Sequence, residues 1–123
     1  MTRWKTEIPT EEEEQMKLAE YLDMKGYCWF HCPNEGKHKP QYRAKQAKLG
    51  LKAGVPDIII LDVPEDDNCH RGVAIELKRK KGGKVTEEQN KWLGKLGCYH
   101  WIIKVAYGAD EAIDWLEKLF KEG

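Results

Sequence analysis

Asp57, Glu76 and Lys78 are the residues of this 123-residue chain whose types and spacing could do chemistry. In Ala74-Ile75-Glu76-Leu77-Lys78 a glutamate and a lysine stand two apart. At strand spacing both project from one face with Ala74, and Val73, Ile75 and Leu77 take the other. Charges on a core strand are costly unless they are paired or used. Asp57 follows Pro56 and opens the apolar run Ile58-Ile59-Ile60-Leu61. Two carboxylates meeting at strand ends make a hard-oxygen site for magnesium or manganese, with waters filling the octahedron. A lysine beside such a site reduces its negative charge and orients or deprotonates a water. That combination serves in-line attack on a phosphodiester. Glu14 could add a third carboxylate from a helix, and Gln89 could hydrogen-bond the lysine or the attacking water. Alone, an E-x-K strand reads as an edge ion pair, with Asp57 a turn residue. The Gly54-Val55-Pro56-Asp57 lead-in and a glutamine at a helix start move the balance toward a site.

These residues need elements to position them. Thr10 with Glu13 forms a capping box that opens a helix running to about Lys25, with Gly26 to end it. Glu14 shares the apolar side with Leu18, Tyr21 and Leu22, whereas Glu13 stacks with Lys17 and Glu20 on the wet side. A first strand is expected over 27–32, broken by Pro33-Asn34-Glu35-Gly36. Residues 41–49 suit a short helix of little apolar periodicity, and Gly50, Gly54 and Pro56 mark a loop. The run 58–61 reads as a strand buried on both faces, and 73–78 as a third strand. Thr86 and Gln89 form a second capping box, opening a helix with Trp92, Leu93 and Leu96 inward and Gly97 as terminator. A fourth strand over 101–107 and a last helix with Ile113, Leu116 and Phe120 inward complete the chain.

The order α-β-β-β-α-β-α predicts a single α/β domain over residues 1–123, with a mixed four-stranded sheet flanked by helices. Strands two and three should pair antiparallel across a turn centred near residue 67, and strands three and four should be parallel neighbours. Asp57 then lands opposite residue 76, 77 or 78. The three charged groups share a face only if its partner is Glu76 or Lys78.

Composition bounds the rest. With 41% hydrophobic and 34% charged residues the chain is a folded domain, neither disordered nor fibrous. The longest apolar stretch is too short to span a membrane, and Met1–Lys5 lacks a signal-peptide core, so an intracellular, cytoplasmic address is expected. Cys28, Cys32, Cys69 and Cys98 are then expected as free thiols. Cys28, His31, Cys32 and His38 cluster in sequence, but their spacing matches no zinc knuckle. Twenty-one basic residues balance twenty-one acidic ones, which conceals a local basic patch. Lys37, Lys39, Arg43, Lys45, Lys48 and Lys52 occur with no acid between 37 and 53, and Arg79, Lys80, Lys81 and Lys84 form a second basic run.

Gly54-Val55-Pro56-Asp57, Ala74-Ile75-Glu76-Leu77-Lys78 and Gln89-x-x-Trp92-Leu93 with Leu96 resemble the VRR-NUC domain (virus-type replication-repair nuclease) of the PD-(D/E)XK nuclease superfamily. The resemblance covers nearly the whole chain, including Pro33-Asn34-Glu35-Gly36. It implies a PD-(D/E)XK nuclease-like fold and a magnesium- or manganese-dependent DNA endonuclease. On the matching positions it makes Asp57 and Glu76 metal ligands, Lys78 the catalytic lysine, Gln89 the active-site glutamine and Glu14 the helix carboxylate, with Glu13 the fallback. Small stand-alone members, often from phages, look like homodimeric Holliday-junction resolvases, and larger relatives use the domain in repair nucleases. The two basic runs would then flank the carboxylates as the DNA surface, recognising backbone and shape, since no groove-reading helix is evident. A two-fold junction favours a two-fold enzyme, with Trp29 or Trp4 at the interface. No small organic cofactor is implied. The competing readings are a duplex-cutting restriction-type nuclease and a non-catalytic nucleic-acid-binding domain of the same fold.

Overall fold

A computed structural model describes residues 8–33 and 40–121. Helix α1 spans Glu11–Lys25 and α2 Pro40–Lys48; strands β1, β2 and β3 span Trp29–His31, Ile58–Ile60 and Gly72–Lys78. Helix α3 (Glu87–Cys98), strand β4 (Trp101–Tyr107) and helix α4 (Ala109–Leu119) follow. Both expected capping boxes form: the Thr10 and Thr86 hydroxyls accept from the Glu13 and Gln89 amides, whose side chains accept from the threonine N–H in return. Gly26 ends α1 in the left-handed region at φ 81°. Gly97, expected to terminate α3, lies inside the helix instead. The Tyr99 amide caps the carbonyls of Lys95, Leu96 and Gly97, and His100 makes the turn at φ 69°.

The sheet order is β1-β2-β3-β4, with β1–β2 and β2–β3 antiparallel and β3–β4 parallel. Ile58 pairs with Ile75 and Ile60 with Val73, a register that continues to Asp57 opposite Glu76. The expected shared placement of the charged groups therefore holds. One face of the sheet carries Ile58, Ile60, Val73, Ile75 and Leu77 into a core with Leu18 and Leu22 of α1 and Ala109, Ala112 and Leu116 of α4. By the two-residue alternation Glu76 and Lys78 point to the opposite face. Burial of that apolar face, at about 25 cal/mol per Å², is what offsets the cost of carrying charge on the buried strand β3.

The strands are shorter than the apolar runs: β1 loses 27–28 and 32, and β2 loses Leu61, which is half exposed. Trp29 packs against the core and its indole N–H donates to Asp23 at 2.8 Å, so its own chain already occupies it. Trp4, Lys37 and Lys39 lie outside the described residues. Among the described residues no helix is long and apolar enough to cross a membrane.

Candidate active site

Glu76 sits on the fully buried strand β3 and is 2% exposed. Its Oε2 accepts from the Gln89 amide nitrogen at 3.0 Å and faces the Lys78 ammonium at 3.5 Å. Its Oε1 is buried and accepts from no N–H or O–H donor, with the Asp57 carboxylate as the side chain close enough to share a proton with it. Asp57 lies just before β2, where its Oδ2 accepts the Leu77 amide at 2.8 Å. The Asp57 carbonyl also accepts from the Cys32 amide at 2.8 Å and the His31 ring at 2.9 Å, so backbone and side chain are both held. The lead-in glycine has a steric reason. Gly54 adopts φ +88°, and a Cβ there would lie 2.7 Å from the Glu88 backbone, so only glycine lets this loop dock on the start of α3.

The third carboxylate comes from Glu11, one turn before the expected position. Ligand oxygens of Glu11, Asp57 and Glu76 all lie within 4.8 Å of one another, and among the described residues no other such group of three or more occurs. Glu14 is not in it. Its placement with Leu18 and Leu22 at four-residue spacing buries it under α4, where Oε1 accepts the Ala109 amide at 2.9 Å. Glu14 is a helix tie; Glu13 serves the capping box and takes no part either. The acidic run offers four glutamates in the first turn of α1, and only packing decides which of them reaches Asp57.

Three carboxylates at this separation repel. Burial, and then the Asp57 charge, push the Glu76 carboxyl up to about 8. Burial also raises Asp57, opposed by the Leu77 amide, and Glu11 is raised by partial desolvation and then by Asp57. A divalent cation would relieve that repulsion in place of the proton that Glu76 and Asp57 otherwise share, and would occupy the Glu76 oxygen that no N–H or O–H donor reaches, so the donor set fits a hard metal ion. In front of it lies a shallow pocket of about 220 Å³ lined by Glu11, Glu12, Gln15, His31 and Asp57. In the sequence His31 stands out only beside Cys28 and Cys32; its pairing opposite Ile58 brings it to this pocket. Gln89 was expected to contact the lysine or the attacking water and bonds Glu76 instead.

The basic residues divide. Arg43, Lys45 and Lys48 are exposed on α2, which buries none of its residues, and Lys52, Lys81 and Lys84 are exposed in loops. Among the described residues none of these six is in an ion pair with an acid. Arg79 donates to the carbonyls of Ile8 and Pro9, both at 3.1 Å, stapling the entry of α1 to the end of β3. Lys80 faces Asp110 at 3.6 Å. Those two cations already serve the fold.

The family model of the VRR-NUC domain matches residues 9–110. The chain belongs to the VRR-NUC family. Its mixed sheet and flanking helices also superpose on a solved structure described as a VRR_NUC domain protein, with a TM-score of 0.78. That match covers 95% of this chain and 93% of the other at 24% identity, and so speaks for the fold. No curated protein matches the chain. The VRR-NUC match spans Glu11, Asp57, Glu76, Lys78 and Gln89, and it gives the chain a nuclease-type fold.

Proposed function

We propose that this VRR-NUC domain is a magnesium- or manganese-dependent endonuclease that cuts branched DNA as a homodimer. The supporting observation is the meeting of Glu11, Asp57 and Glu76 beside Lys78, with one buried oxygen of Glu76 reached by no N–H or O–H donor. When bound, the cation offsets charge on the phosphoryl oxygens and makes an attacking water more acidic. Lys78, almost fully buried, offers a rigid cation at the same place, able to hold a water or a phosphate oxygen. Arg43, Lys45 and Lys48 on α2, with Lys81 and Lys84, offer charges to a DNA backbone, and Lys52 lies between them in sequence. Branch preference rests on the family resemblance and on this scattered backbone-type charge, which lacks a base-reading helix. The dimer rests on the two-fold symmetry of a junction.

Four-way junction, flap, linear duplex and single-stranded DNA should be incubated with the protein, with and without magnesium or manganese. Branched substrates should be cut only with metal, by a species of twice 14.3 kDa in light scattering. Cleavage that persists in EDTA sinks the metal reading, and binding without cleavage leaves a DNA-binding module.

The two helix glutamates should separate cleanly. Glu11→Ala should lower the cleavage rate about a hundredfold, equivalent to roughly 2.7 kcal/mol of barrier, with little change in melting. Glu14→Ala should destabilise by about 2 kcal/mol, because it removes a buried charge-assisted bond to the start of α4. Denaturant melts and initial rates on both variants check this. Equal rate losses in the two would remove Glu11 from the site.

A further inference from the structure

The capping box of α3 touches the metal-type site directly. An N–H can only donate, so the partner of the Thr86 amide, 2.8 Å away, must be the carbonyl oxygen of the Gln89 side chain. The NH₂ end of that carboxamide therefore faces Glu76, and it bonds Oε2 at 3.0 Å. Lys78 approaches the same oxygen at 3.5 Å. Both donors fall on Oε2, and Oε1 stays buried without one.

We infer that Gln89 is a positioning residue: clamped by the Thr86 amide, it holds Oε2 of Glu76 and reserves Oε1 for the cation. A free carboxylate could rotate and offer either oxygen, or chelate with both. With Oε2 occupied by two donors, rotation would break a hydrogen bond and an ion pair together. The helix cap thus carries its own geometry into the site: the backbone that starts α3 sets the amide flip, and the amide sets the carboxylate. Thr86, at φ −78° and ψ 168°, is an ordinary N-cap in conformation, like Thr10 of α1 at φ −72° and ψ 164°. Only the reach from its third helical residue to Glu76 differs. This inference rests on the metal reading above, and its test distinguishes the two.

Manganese affinity is measured by calorimetry, without DNA, on the full chain, on Gln89→Met and on Thr86→Ala. Gln89→Met keeps the length of the side chain and removes both its donor and its acceptor. Loss of an outer partner of a metal ligand should weaken manganese binding about tenfold or more. Thr86→Ala loses the hydroxyl cap and keeps the backbone N–H, so its affinity should stay within about twofold while its melting falls. In cleavage assays the manganese concentration for half-maximal rate should rise in Gln89→Met, and the rate at saturating manganese should largely return. Unchanged affinity in Gln89→Met, or equal weakening in Thr86→Ala, overturns the inference. A parent protein that binds no manganese overturns the metal reading and the inference with it. Should Gln89→Met not fold, hydrogen exchange in the parent decides. Among the side-chain amides of Gln15, Gln41, Gln46 and Gln89, that of Gln89 should exchange slowest. Exchange as fast as at Gln41 overturns the inference.

Discussion

Glu76→Gln should abolish cleavage, by about a thousandfold or more if several kcal/mol of transition-state stabilisation pass through the cation that Glu76 holds. The same change should leave the metal-free protein at least as stable as the parent. Glutamine is nearly isosteric, keeps an acceptor for the Gln89 amide, and removes one of three mutually repelling carboxylates. Lys78 loses its 3.5 Å partner but retains the field of Asp57 and Glu11, so the buried ammonium is not stranded. A gain of about 1 kcal/mol at pH 8 is expected, in keeping with the usual conflict between activity and stability at charged sites. Cleavage rates and metal-free denaturant melts of the one variant test both halves. A variant that loses stability and activity together would make Glu76 a structural residue.

Metal-free stability should fall as pH rises from about 4.5 to about 8. The folded-state Glu76 carboxyl is raised from its ordinary 4.5 to about 8 by burial and by Asp57, so the folded chain holds a proton that the unfolded chain has released. Where the folded state binds more protons, stability decreases with pH, and the decrease ends above the folded value. Asp57 and Glu11, also raised, act in the same sense. For Glu76 alone the fall is on the order of a few kcal/mol, at about 1.36 kcal/mol per unit, and the exposed Glu11 adds little because solvent screens it. Magnesium or manganese should reverse the trend, because a cation takes the place of the proton and stabilises by mass action. Urea melts at pH 5, 6.5 and 8, with and without metal, read this directly. In Glu76→Gln the slope should flatten. A parent whose metal-free stability rises over this window would contradict the crowding of carboxylates.

Most of the architecture was legible because local rules agreed with each other. The threonine capping boxes mark both helix starts, the isoleucine run marks a doubly buried strand, and the short link over 61–71 leaves β2 and β3 little choice but antiparallel pairing. The register of Asp57 opposite Glu76 follows from alternation plus turn length. Gly97 misled, since a glycine near a helix end reads as a terminator and nothing local says that His100 will take the left-handed turn instead. Arg79 and Lys80 read as free cations because their partners lie across the fold, in Ile8, Pro9 and Asp110.

The amino-acid order by itself determined the strand pair and the acid, acid and lysine that it carries, because strand alternation and chain connectivity are short-range facts. Which helix glutamate joins them was decided only in three dimensions. Glu11 and Glu14 both precede the inward-facing leucines of one helix by near-integral turns, and it is the N-terminus of α4 that claims Glu14 and leaves Glu11 facing Asp57. The division of labour between the two oxygens of Glu76 is likewise a product of packing, since it requires the start of α3 to lie against β3.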